Sequence, residues 1–118
     1  MTVYSSYTPD FKCSSDGNGK GVVNASVGLL SYDEVVYAGG YYNQNNSNYY
    51  LNNPAIYWWT MSSAGLSGST SIGWYVSTTG SIDYFNVRST LRLRPVLNLT
   101  ADALATGSGT SSDPFVIS

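Results

Sequence analysis

The chain has 118 residues, 42% apolar and 14% aromatic, which is ample material for one globular core and argues against intrinsic disorder. Only 10% of its residues are charged, five basic against seven acidic, and it has no histidine. Phosphate neutralisation, imidazole general-base chemistry and His-ligated metals therefore have almost nothing to build on, so neither nucleic-acid binding nor an enzymatic activity is expected.

Cys13 is the single cysteine, so a disulfide or thiolate metal site would need a partner outside this chain. No apolar run approaches the roughly 20 residues of a membrane helix, and membrane insertion by this segment is not expected. A surface finished with Tyr, Ser, Asn and Thr points to an extracellular or cell-surface setting, with the natural chain continuing upstream of Met1.

Taken in order, residues 1 to 20 combine Tyr4, Tyr7, Pro9 and Phe11 with the turn-rich run Ser14 to Gly19, which reads as an edge arm and loop. The spacing Ser31 to Glu34 is that of a capping box and predicts a short helix. Asp33 complements its dipole, and Gly39-Gly40 ends it. Tyr41 to Asn53 is almost entirely Tyr and Asn and reads as a long loop. That loop either packs over the sheet or presents an adaptable Tyr/Asn/Ser surface of the kind antibody loops use. Ile56 to Met61 reads as an aromatic strand. Ile72, Trp74 and Val76 alternate with smaller or polar neighbours, Thr79-Gly80 turns, and Ile82, Tyr84 and Val87 begin the return. Leu91 to Leu99 alternates leucines with polar residues, Pro95 marks an edge or bulge, and Phe115-Val116-Ile117 closes the chain against the sheet. One helix and several short strands predict an α+β domain.

Nothing in this order assembles a chemical centre. Asp33 and Glu34 are adjacent and diverge by about 100° on a helix, so they cannot share one proton or ligand. Asn52-Asn53-Pro54 faintly resembles a calcium lectin loop, but no acidic residue lies between Glu34 and Asp83 to complete a hard-oxygen site. No metal and no cofactor is expected.

Several blocks do resemble a known group. Gly28-Leu29-Leu30, Asp33 to Val36, Ala38-Gly39-Gly40, Tyr49-Tyr50-Leu51, Trp58 to Ser62, Trp74-Tyr75-Val76, Arg94 to Leu99 and Gly107 to Phe115 resemble C-terminal domains of pilin-like and other surface proteins of gut bacteria and their phages. Those domains are similar to the C-type lectin fold, in its formylglycine-generating-enzyme-like branch. The resemblance covers about residues 20 to 118. It implies a single C-type lectin-like domain over 1–118, with small twisted antiparallel sheets, one short helix and long irregular loops. The enzyme activity of that branch does not carry over, because it needs a reactive cysteine pair. Some relatives are variable proteins of diversity-generating retroelements. Between Ser62 and Arg92 there is no Lys, Glu, Gln or Met, as adenine mutagenesis would leave it, although Trp74 stands inside the stretch.

The expectation for function is a non-enzymatic adhesion or recognition domain displayed on a bacterial or phage surface. Its ligand, a protein or glycan, would contact Ser67, Ser77, Thr78, Asp83, Tyr84, Phe85, Asn86, Arg88, Ser89 and Arg92. The alternative is the structural head of a pilin-like subunit that self-associates in a pilus. Trp58, Trp59, Trp74, Val96, Leu97 and Leu99 are expected in the core, with Arg94 as a structural hydrogen-bond donor.

Overall fold

The computed structural model describes residues 26–97, 99, 105–108, 110 and 112–117; the expectations for residues 1–20, Cys13 included, lie outside the described residues. Strand β1 (Gly28–Leu29) leads into helix α1 (Tyr32–Tyr37). The helix starts where the capping box predicts. Ser31 Oγ accepts the Glu34 N–H at 3.2 Å, and Glu34 Oε2 accepts the Ser31 N–H at 2.7 Å. It ends in a Schellman turn: Gly39 N–H donates to the Val36 carbonyl and Gly40 N–H to the Val35 carbonyl, with Gly39 at φ +116°.

The main sheet contains β2 (Tyr41–Tyr42), β3 (Trp58–Ser67), β4 (Thr70–Val76) and β5 (Ser81–Asn86), in the order β2-β5-β4-β3. β3, β4 and β5 form an antiparallel meander, and β2 joins β5 in parallel. Two smaller ladders complete the described strands: β6 (Pro95–Val96) pairs with β1, and β7 (Ala105–Thr106) with β8 (Val116–Ile117).

The register sorts the side chains into two faces, because paired residues share a face. Trp58, Val76 and Ile82 stand in one row, each fully buried, and α1 covers them with Tyr32 and Val35. Tyr49 and Leu51 from the Tyr/Asn loop close the same core.

That loop takes the packed alternative. Asn46 Nδ2 donates to the Gly39 carbonyl at 2.7 Å, Thr79 Oγ1 to Asn45 Oδ1 at 2.8 Å, and the Tyr49 hydroxyl to the Gly80 carbonyl at 3.0 Å. These bonds tie the loop to the helix end and to the β4–β5 turn.

The architecture corrects the expected α+β, C-type lectin-like class. Of the described residues strand takes up 43% and helix 7%, so this is a small β-rich domain. The physical reason is local. Gly39-Gly40 stops the helix after six residues, whereas Trp58 to Asn86 is strand but for two short turns.

The Leu91 to Leu99 segment is also shorter in strand than its alternation predicts. Only Pro95–Val96 pairs regularly, with β1, and Leu93, Leu97 and Leu99 are exposed, Leu97 at 66%. These leucines are not core, because a two-residue ladder has no second layer to bury them against. The closing strand β8 pairs with β7, not with the main sheet. Arg94 does act as a structural donor, giving Nη1–H to the Leu51 carbonyl with its guanidinium 4.9 Å from the Trp58 ring centroid.

Candidate ligand-binding face

The alternation that sends Trp58, Val76 and Ile82 inward sends their neighbours to the opposite side of the sheet. Trp59, Tyr75 and Asp83 form the next cross-strand row, with Trp59 paired to Tyr75 and Tyr75 to Asp83. Around Tyr75 the ring centroids of Tyr57, Trp59 and Phe85 lie 6.0, 6.2 and 6.3 Å away, in tilted and edge-on arrangements. Tyr57 is 47% and Phe85 52% exposed, and Met61 and Val87 are exposed as well.

Gly73 sits under this row, and a Cβ there would stand at ordinary contact distance, 3.4 Å, from both the Trp59 ring and a Val87 methyl.

The face is amphipathic. Burial, the Asp83 carboxylate and Tyr57 together raise the Tyr75 pKa above its ordinary value. Trp59, Phe85, Val87 and Met61 supply the apolar part. Among the described residues no group of three metal-ligating side chains occurs. What the face offers is contact area and a few polar atoms for orientation.

Over residues 1–101 the sequence matches the model of DUF6273, a domain of unknown function. The chain belongs to that family. No curated protein and no solved structure matches it.

The structure does not bring the ten sequence-predicted site residues together. Ser77 and Thr78 follow the end of β4, whereas Ser67, Asn86, Arg88 and Ser89 lie at the other end of the sheet, about 20 Å away at the rise of an extended strand.

Several are occupied locally. Ser77 Oγ accepts the Thr79 N–H at 3.3 Å, Asn86 Oδ1 accepts the Arg88 N–H at 2.9 Å, and the Asn86 carbonyl accepts the Ser89 N–H at 2.9 Å. Arg92 is held by its backbone at the sheet edge, donating N–H to the Tyr57 carbonyl and accepting from Trp59 N–H, both at 3.0 Å. Tyr84 belongs to the inner face, edge-on to Trp74 at 5.7 Å and stacked with Tyr42 at 6.2 Å. Of the ten, Asp83 and Phe85 belong to the aromatic face.

Tyr57, Trp59 and Tyr75 are the members that sequence reasoning missed, Trp59 having been expected in the core. The signal was present: aromatic residues occupy both parities of the strands, and one short helix can cover only one face.

Proposed function

We propose that this domain is a non-enzymatic recognition module displayed on a bacterial or phage surface, and that it binds its protein or glycan ligand on the face built from Tyr57, Trp59, Tyr75, Asp83 and Phe85. The observation that carries this reading is the pair of exposed rings, Tyr57 and Phe85, that flank Tyr75 on this face. Tyr57 and Phe85 are about half exposed on a sheet whose other side is sealed by α1 and the Tyr/Asn loop. Contiguous exposed aromatic surface on a small domain marks an interaction site, and rigid aromatic side chains lose little entropy on binding.

The alternative, the head of a pilin-like subunit, draws on a different observation: the exposed leucines Leu93, Leu97 and Leu99 around the short β1–β6 ladder. It predicts self-association, and Leu97→Ser would suppress it.

To test the first reading, the labelled domain is applied to a panel of immobilised glycans and cell surfaces beside the Tyr57→Ser/Phe85→Ser variant. Retention of the wild type on at least one surface, lost in a variant that still melts in one cooperative transition, is the expected result. No retention anywhere, or equal retention of both proteins, would rule it out.

A further inference from the structure

On the opposite side of the sheet, where α1 packs, a groove lies between the helix and the loop that docks on it. It has a volume of 430 Å³ and is lined by Leu30, Glu34, Tyr37, Ala38, Tyr50 and Leu51. Its two tyrosines are largely exposed, Tyr37 at 77% and Tyr50 at 82%. Leu30, Ala38 and Leu51 give it an apolar floor. We propose that this groove binds a small quaternary-ammonium ligand of the choline class.

The argument is one of charge complementarity. Among the described residues of the lining Glu34 is the only charged side chain, and no described basic residue accompanies it. Its carboxylate is also held in place, because Oε2 takes the Ser31 N–H at 2.7 Å and the Ser31 hydroxyl at 2.8 Å. Arg94, whose Nη1–H is bound to the Leu51 carbonyl and whose guanidinium lies over the Trp58 ring, is not among the lining residues. A poorly hydrated cation with methyl groups matches such a site: its charge is attracted to tyrosine faces and the fixed carboxylate, and its methyls to the apolar floor. A neutral polar ligand would need more hydrogen-bonding groups than one carboxylate and two phenols supply. An anion would meet Glu34.

The experiment is an amide-shift titration of the whole chain with choline, with tetramethylammonium, and with 3,3-dimethylbutanol, the uncharged isostere of choline. Saturable shifts at Leu30, Ala38 and Leu51 are expected with both cations, and binding at least about fivefold weaker with the alcohol. Tyr50→Leu should weaken choline by about fivefold. Glu34→Gln should weaken it by roughly two- to fivefold, while glutamine can still complete the capping box and keep the helix. Equal binding of choline and the alcohol, no saturable shift, or an unchanged choline affinity in both variants would each overturn the proposal. Co-sedimentation with phosphatidylcholine vesicles without any response to free choline would also overturn it, assigning the groove to a membrane surface instead.

Discussion

The Thr60 hydroxyl donates to the Trp74 carbonyl at 3.0 Å across the point where β3 slips against β4. Trp59 pairs with Tyr75 and Ser63 with Gly73, so Thr60, Met61 and Ser62 together face the single residue Trp74. The side chain of Thr60 supplies the bond that the bulged backbone cannot make. The freed Met61 N–H donates instead to the carbonyl of Leu30, just before the helix, at 2.9 Å, and the Ser62 side chain accepts the Tyr32 N–H at the helix start at 2.9 Å. The Trp58 to Ser62 block is thus the joint between sheet and helix.

Thr60→Val keeps the shape and removes that donor from a buried site. Thermal melting should show a loss of about 1–3 kcal/mol, the cost of leaving a buried polar group unpaired. Met61→Ala, at the exposed neighbour, should stay within about 0.5 kcal/mol. Equal losses for the two would show that the bulge is not held by Thr60.

Tyr84 and Phe85 are adjacent and face opposite sides of the sheet. Tyr84→Ala removes the ring packed on Trp74 and Tyr42 and should cost roughly 2–3 kcal/mol in denaturant unfolding. Phe85→Ala removes a half-exposed ring and should cost about 1 kcal/mol or less. The reverse order would mean that the faces have been assigned the wrong way round.

Gly80 has φ +77°, and a Cβ there would stand 1.9 Å from the Asn46 carbonyl oxygen. Gly80→Ala should therefore cost more than the roughly 1–2 kcal/mol of left-handed strain alone and undock the Tyr/Asn loop. Gly68 has φ +61° with nothing within 4 Å, so Gly68→Ala should show only the strain. Comparing the two melting temperatures separates conformational strain from collision.

The Tyr49 hydroxyl is buried against the Gly80 carbonyl, and burial pushes its pKa up to about 12, with Arg94 opposing the shift. A group whose folded pKa lies above the unfolded value of about 10 stabilises fully below pH 10, and that contribution is lost as pH rises toward 12. Tyr42 and Tyr75 are shifted in the same direction. Melting temperature should fall steeply over this window, and Tyr49→Phe should make the fall shallower. An identical slope in the variant would show that Tyr49 is not among the tyrosines that titrate with unfolding.

What the sequence by itself determined is local. The Ser31/Glu34 box, the glycine stop at Gly39-Gly40, the Thr79-Gly80 turn and the alternation through Ile72, Trp74 and Val76 each depend on interactions within a few residues, and each is found where the spacing puts it. What alternation cannot say is which parity faces the core, since Trp58 and Trp59 are equally apolar and opposite in direction. Only the docking of α1 against Trp58, Val76 and Ile82 decided it, and that left Trp59, Tyr75 and Phe85 on the open side. The leucines after Arg92 show the same limit, because an alternating pattern predicts burial only where a second layer exists. The tertiary structure also parted Ser77 from Asn86, near neighbours in sequence, by running β5 back along β4 and so placing the two at opposite ends of one sheet.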